Sequence, residues 1–459
     1  MKELFALIKD MDSLISDAKN KLNLAEDITH YDGCNSSIIV TDECNLRCTY
    51  CYCTKTPLRM SWDTAKEYID FIFKDRGKGL EKIPIAEQKS IEHRKIFEFI
   101  GGEPLLESDL MFRCIKYILE KVDALPDKHP WKRDDWECPC CGQKNTKGIR
   151  FMISTNGLLL NDPKIQKQFL DLDPNWFYIG MTLDGTKEMH DACRLKPDGS
   201  GSYDEVMRAW KWLQQNFPHC TFSTKSTISP DNLQYVGELV EYFYGLGLKS
   251  LAQNCVFENV WRRGDQLILF DQLCKVADFL LKNKRYEKMK VRWFGPEYFK
   301  RTDPTHEGKW CGAGTYMDCC DSTGQLYPCL RFKQLDQKEP FIMGNVKEGK
   351  WAEVIDKFKS CDIDPITNPR QPSLSGLKDC ADCPISANCA DCQAYAYDCF
   401  GSLEAKSPFI CPMHKAAAVA NIYFFGHLFK LDPDKDSLYD SLKEWTANDY
   451  FSTDGEYKI

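Results

Sequence analysis

No apolar run in the sequence is long enough to cross a bilayer. The longest late stretch, Ala416 to Leu431, is broken by Asn421, Gly426, His427 and Lys430, whereas a spanning helix needs about 20 apolar residues. A secretory signal is missing too, because Met1 to Leu24 alternates charged with apolar residues from the start and never builds a continuous apolar segment. These absences argue against a membrane partner and lead us to expect a cytoplasmic protein. Net positive charge is also absent. Lys and Arg number 60 against 68 Asp and Glu, a formal charge of −8, so no overall basic field draws a nucleic-acid backbone and no such partner is expected. Nothing suggests disorder in a composition of 43% hydrophobic and 28% charged residues. A chain of 459 residues has room for two or three domains.

Cysteine, by contrast, is plentiful. In a long chain without a signal, 24 cysteines point to metal or redox sites rather than to a disulfide scaffold. The most informative three are Cys44, Cys48 and Cys51 in Thr41–Tyr52, TDECNLRCTYCY. A zinc site, a disulfide and buried thiols are the plain alternatives, but zinc knuckles pair C-x2-C with a second pair, and C-x3-C-x2-C is not their spacing. Three thiolates can hold three irons of a four-iron cluster and leave the fourth without a protein ligand. The motif, with Tyr50 directly before its third cysteine, resembles the signature of the radical S-adenosylmethionine (SAM) enzymes. The resemblance implies that SAM chelates the open iron and is split into methionine and a 5′-deoxyadenosyl radical. It also implies an α/β fold, a partial (β/α)6 barrel with its chemistry at the carboxyl ends of the strands.

Taken in order, the chain fits that plan. Leu4, Leu7, Ile8, Met11, Leu14 and Ile15 recur at helical spacing, which predicts an amphipathic helix within residues 1–36, packed on the main domain. Only 43 residues precede Cys44, too few for an internal leader-recognition domain of the kind many peptide-modifying relatives carry. Six strand-like runs follow within 37–260: 37–41, 95–100, 149–154, 176–183, 221–228 and 248–258, interleaved with helical patterns. The second ends at GGEP, where Gly101 and Gly102 permit a close backbone approach and Glu103 supplies a negative acceptor. By resemblance, this motif meets the SAM amino group. Ser154, Thr155 and Asn156 end the third run and resemble SAM-contacting residues. Arg194, past the DG that ends the fourth, is the cation expected on the SAM carboxylate, which a guanidinium can engage bidentately. An insertion at 125–148 carries Cys138, Cys140 and Cys141, half of a zinc ribbon, which would need ligands from elsewhere, such as Cys193 or His190, to hold a metal.

After a helical linker (261–308), residues 309–415 change character. Cys311, Gly324 and Cys329 precede the C-x2-C-x5-C-x2-C set Cys380, Cys383, Cys389 and Cys392, and Cys411 follows. This resembles the C-terminal cysteine-rich SPASM domain, which implies two auxiliary clusters and three [4Fe-4S] clusters in all. By resemblance, the first auxiliary cluster takes Cys311, Cys329 and Cys392, and the second takes Cys380, Cys383, Cys389 and Cys411. The first lacks an obvious fourth ligand: Cys319 or Cys320 completes it, or an iron stays open. Residues 416–459 form a helical tail packed on this domain.

An open auxiliary iron would bind a substrate thiolate beside the carbon that loses hydrogen. The sequence reading is therefore a peptide maturase of the sactipeptide or ranthipeptide type, forming sulfur-to-carbon thioethers in a cysteine-containing ribosomal precursor. Its expected partners are that precursor, an electron donor such as flavodoxin or ferredoxin, and a separate leader-recognition protein. Two alternatives stand beside it: sulfatase-maturase-like oxidation of Cys or Ser, or carbon–carbon crosslinking of a peptide, and, more remotely, a non-catalytic metal-binding scaffold.

Overall fold

The structure, a computed structural model, describes residues 2–18, 24, 34–76, 94–135, 147–295, 313–314, 317–336, 338–360, 380, 383–385, 389 and 391–451. Cys138, Cys140, Cys141 and Cys311 lie outside these residues.

Each of the six strand-like runs forms a strand: β1 (Cys34–Thr41), β2 (Lys95–Gly101), β3 (Ile149–Thr155), β4 (Phe177–Met181), β5 (Ser223–Ile228) and β6 (Ser250–Cys255). Before, between and after them run α1 (Lys2–Ala18), α2 (Trp62–Phe71), α3 (Ser108–Asp123), α4 (Pro163–Leu170), α5 (Lys187–Asp191), α6 (Tyr203–Asn216), α7 (Val236–Gly245) and α8 (Asp265–Leu281). A short β7 (Lys290–Val291) closes this half. Strands β1 to β4 pair in parallel in sequence order, and β5, β6 and β7 form a second parallel ladder. Parallel neighbours require crossover helices, and these cover the outer face. There Phe97, Phe99, Phe151 and Phe177 are buried, and Phe169 of α4 packs edge-on against Phe177 with ring centroids 5.3 Å apart.

The opposite face of the first sheet carries a buried polar cluster. Glu98 accepts hydrogen bonds there from Asn35 Nδ2 (2.8 Å), Ser37 Oγ (2.7 Å) and Ser154 Oγ (2.8 Å), and so stitches β1, β2 and β3 together. No ladder joins β4 to β5. The seam is bridged by side chains instead, with Tyr178 Oη 2.9 Å from Ser223 Oγ and Thr224 Oγ1 donating to the Met181 carbonyl at 3.3 Å.

Beyond the barrel come β8 (Met317–Cys320), β9 (Gln325–Tyr327), α9 (Leu330–Lys333), β10 (Gly344–Asn345), α10 (Trp351–Ser360), α11 (Gln393–Phe400), α12 (Cys411–Leu428) and α13 (Lys435–Trp445). Sequence patterning did not anticipate that β8 pairs in parallel with the free side of β1, in the register Ser36↔Asp318 and Ser37↔Cys319. The β8–β9 hairpin thus extends the barrel sheet. Buried Asp318 accepts from Ser36 Oγ at 2.6 Å and from the Tyr68 hydroxyl of α2.

One packing expectation needs correction. Helix α12 lies mainly against α8, in the helix layer of the barrel, because it is apolar almost all round and is sandwiched between α8, α1 and α13. Its buried Asn421 donates to the Trp293 carbonyl. Helix α1 buries Leu4, Ile8, Met11 and Ile15 in the main core, as expected; it does so against α12 of that layer, with Phe5 edge-on to Trp445 of α13 at 5.4 Å. Among the described residues, no helix is long and apolar enough to cross a membrane.

Candidate active site at the strand ends

The loop Asp42–Leu58 leaves the carboxyl end of β1 and carries Cys44, Cys48 and Cys51. Backbone bonds pin it on several sides. Asp42 N–H donates to the Leu58 carbonyl (3.0 Å), Arg47 N–H to Leu195 (2.7 Å), Thr49 N–H to Cys193 (3.0 Å) and Glu103 N–H to Glu43 (2.8 Å). The glycines of GGEP serve this docking. A Cβ on Gly101 would sit 2.1 Å from the Thr41 carbonyl oxygen, and one on Gly102 would sit 2.1 Å from that of Glu43. The close approach they permit is made to the cluster loop itself.

On one side of the loop stands Glu103, fully buried. Its carboxylate accepts from Leu105 N–H (3.0 Å), Thr155 Oγ1 (2.7 Å) and Asn156 N–H (2.8 Å), fastening the end of β2 to the end of β3. Asn156 reaches on to the loop, donating to Asn45 Oδ1 at 2.7 Å and lying 3.8 Å from Cys44 Sγ. Ser154 does not join this group; it faces the interior beside Glu98. Burial outweighs the three donors and pushes the Glu103 carboxyl up to about 7. Below about pH 4.5 it is protonated in the folded and unfolded states alike; above about 7 it is ionised in both, and the folded state alone bears the burial cost. Glu103→Gln removes that dependence. We expect wild type to lose of order 3 kcal/mol relative to Glu103→Gln as pH rises from 4.5 to 7, at about 1.4 kcal/mol per pH unit, then to run parallel, as read from paired denaturation curves.

On the other side stands a buried pair that sequence reasoning half missed. Arg194 Nε donates to Asp184 Oδ2 at 2.7 Å, with the two side chains 10% and 0% exposed. Asp184 also accepts from the Tyr50 hydroxyl and, through Oδ1, from Thr227 N–H at 3.1 Å. The guanidinium lies 5.5 Å from the Tyr50 ring centroid, and its Nη1 is 3.9 Å from Cys48 Sγ. Asp184 belongs to the DG at the fourth strand end, so its position was visible but its role was not. His190 and Cys193, the two residues considered as helpers for the 125–148 cysteines, are buried here. His190 Nδ1 accepts from Asp184 N–H and its Nε2 lies 3.1 Å from Ser202 Oγ, while Cys193 Sγ lies 3.4 Å from Ser229 Oγ.

The loop offers three sulfurs of the right kind for an iron–sulfur cluster, with a cation beside one of them. Burial pushes the Cys48 thiol up to about 11, opposed by Arg194, whereas a hydrogen bond from Cys53 brings Cys51 down to about 5. Among the described residues, no three His, Cys, Asp or Glu side chains gather around one point as a single metal ion requires. Cluster ligands differ in this respect, since each binds a separate iron.

Farther along, the structure brings Cys380, Cys383, Cys389 and Cys411 into one electrostatic neighbourhood. Burial pushes the Cys389 thiol up to about 11, with Cys383 and Cys380 adding to it, and Cys411 is raised by burial and feels Cys389 and Cys383. Cys329 and Cys392 flank a second small core. Arg331, two residues after Cys329, joins three segments: it pairs with Glu258 past β6, stacks 3.8 Å from the centroid of Tyr52 in the cluster loop, and lies 5.5 Å from that of Tyr395. Lys333 adds a buried ion pair to Asp42 at 2.5 Å.

Comparison with known proteins agrees with this geometry. Residues 38–243 match the family model described as the radical SAM superfamily. An uncharacterized protein of Methanocaldococcus jannaschii is 24% identical over 325 residues, 69% of this chain and 90% of that protein. The cysteine-type anaerobic sulfatase-maturating enzyme of Clostridium perfringens strain 13 is 24% identical over 332 residues, 69% of this chain and 78% of that enzyme. The solved structure of native anSMEcpe with bound AdoMet and Cp18Cys peptide has the same fold, with a TM-score of 0.54 at 17% identity over 90% of this chain and 99% of that one. That family implies a [4Fe-4S] cluster and SAM, and the thiols of the β1 loop are a fitting donor set for the cluster. Residues 38–243 are thus a radical SAM domain, and the chain that carries it is an enzyme.

Proposed function

We propose that this enzyme removes hydrogen from a side chain of a cysteine-containing peptide and passes on the electron left behind through auxiliary clusters in a SPASM-type module. The carrying observation is Arg331, which touches the cluster loop, the mouth of the barrel and the cysteine-rich region at once. A module anchored there has its sulfurs beside the strand ends where substrate would lie. A cluster on Cys44, Cys48 and Cys51, with SAM, supplies the hydrogen-abstracting 5′-deoxyadenosyl radical. Around it, Glu103 and Asn156 form one wall and Arg194 the other, suited to the amino and carboxylate groups of SAM. Cys380, Cys383, Cys389 and Cys411 form a complete donor set, and Cys329 and Cys392 belong to a second. A peptide partner is supported by the peptide bound in the structural neighbour, and flavodoxin or ferredoxin is the class of electron donor.

The product we favour is two-electron oxidation of a cysteine side chain, in line with the cysteine-type name of the clostridial relative. Thioether crosslinking is the second reading. It is favoured by the three-cysteine spacing of Cys311, Cys329 and Cys392, which leaves one ligand position open. Anaerobic incubation of the reconstituted enzyme with SAM, dithionite and synthetic cysteine-containing peptides separates the two. Two-electron oxidation of cysteine yields a thioaldehyde that water hydrolyses, releasing sulfide and leaving an aldehyde that reacts with hydrazines; crosslinking yields loss of H2 with the thiol no longer alkylatable. Unchanged peptides across a panel that includes the product of the neighbouring reading frame would count against both.

A further inference from the structure

Side chains of the β5–β6–β7 ladder alternate between the helix layer and the barrel interior. Leu251 of β6 and Val291 of β7 are buried in the main core, on the helix side. The other face carries Ser223, Lys225 and Thr227 of β5, Ser250, Ala252 and Asn254 of β6, and Lys290 and Arg292 in and just past β7. That this face looks inward follows from the seam. Ser223 Oγ meets the hydroxyl of Tyr178, whose own strand neighbours Phe177 and Ile179 are buried on the outer side. Lys225 and Arg292 are both exposed, although Thr224 and Ser226 around the one, and Val291 and Trp293 around the other, are buried.

Strand register brings the two cations together. Lys225 pairs with Ala252, and Arg292, whose N–H donates to the Leu251 carbonyl at 3.1 Å, flanks Ala252 from the other side. Two strand spacings, about 10 Å, separate their backbones, and the residue between them adds only a methyl group. Arg292 Nη1 donates to Asn254 Oδ1 at 3.1 Å, which draws the guanidinium toward the strand end. Among the described residues, no Asp or Glu stands on this face of the ladder. Glu98, on the facing sheet, is engaged by Asn35, Ser37 and Ser154. Thr227 lies two residues closer to the strand end than Lys225 and gives its N–H to Asp184 Oδ1 at 3.1 Å. The cations are thus roughly 7 Å inside the group formed by Asp184, Arg194 and Tyr50.

We infer that Lys225 and Arg292 form a carboxylate-recognition site inside the barrel, which selects peptides with an acidic group close to the reacting residue. This rests on the proposal that a peptide is the substrate and reacts at the strand ends. An extended peptide advances about 3.3 Å per residue, so the carboxylate falls one or two residues from the side chain that loses hydrogen. It belongs either to Asp or Glu or to a free C-terminus.

The test uses reconstituted full-length enzyme with SAM and short fluorescein-labelled peptides. Each has one cysteine and, at the first or second position on either side of it, glutamate or glutamine, with the C-terminus free or amidated. Anisotropy reads affinity, and mass spectrometry after anaerobic addition of dithionite reads modification. The best glutamate peptide is expected to bind at least about tenfold more tightly than its glutamine twin, as one charge-assisted hydrogen bond would give. A preference that follows the free C-terminus instead identifies the chain end as the source. Lys225→Gln with Arg292→Gln erases the preference. Lys225→Glu with Arg292→Glu reverses it in favour of a lysine peptide, which misfolding could not produce. Equal binding of every acidic and neutral peptide to wild type, or a preference that survives in the double glutamine variant, overturns the site even if the peptides are modified. A preference that behaves as expected while every peptide returns unmodified leaves the site standing and counts against the peptide-oxidation reading.

Discussion

Replacing Cys44, Cys48 and Cys51 together by alanine is expected to abolish SAM cleavage and to remove about four irons per chain, the content of one cluster. The loop that presents them is held by backbone bonds to the carbonyls of Leu58, Cys193 and Leu195 and from Glu103 N–H, and none of these involves a cysteine side chain. The variant therefore keeps its fold and loses its chemistry. Single replacements suffice for the activity, because two thiolates cannot hold three irons. The measurement is 5′-deoxyadenosine formed under dithionite, beside iron content and circular dichroism. Undiminished 5′-deoxyadenosine in the triple variant would remove the β1 loop from the reaction.

The second large effect is expected at Arg194. Truncation to alanine leaves Asp184, whose side chain is wholly buried, as an uncompensated charge. Breaking such a pair costs roughly 3–5 kcal/mol. Two donors remain to Asp184, the Tyr50 hydroxyl and Thr227 N–H, so the loss is expected toward the lower end. Asp184→Asn in the Arg194→Ala background removes the stranded charge and is expected to recover part of the stability. Because Arg194 lies on Tyr50 and beside Cys48, the single variant also disturbs the cluster loop. The loss of SAM affinity in Arg194→Ala should therefore exceed what its stability defect explains, and Asp184→Asn should not restore it. Chemical denaturation of the four members of the cycle gives the coupling directly. A sum of single effects with no coupling would contradict the pairing.

Much of the barrel was legible because its signals are local. Each of the six strands is a short apolar or Thr-rich run of the expected length, and each motif sits where a strand gives way to a loop. Glu103, Asn156 and Arg194 could be placed around the cysteines on that ground alone. What escaped was set by distant partners. Asp184 reads as half of a DG turn, and only the fold reveals the tyrosine, arginine and strand backbone that meet on it. The glycines before Glu103 were read as permitting a close backbone approach, and only the fold shows that carbonyls of Thr41 and Glu43 are among the atoms they admit. Helix α12 is apolar on every side, so its pattern carries no direction, and its neighbours α1, α8 and α13 could not be named in advance. Cys319 and Cys320 are one residue apart and chemically alike, and only the pairing of β8 shows that they face different cores.

The place of β8 beside β1 has a consequence for how the protein is made. Ser36 and the Asp318 it bonds are 282 residues apart, and at about 5–20 residues per second a ribosome needs roughly 15–60 s to deliver the second after the first. Throughout that interval the strand that leads into the cluster loop has one row of backbone donors and acceptors uncovered, an edge on which another chain can pair. Newly made protein passes through this exposed stage each time, and the hairpin of residues 317–327 ends it.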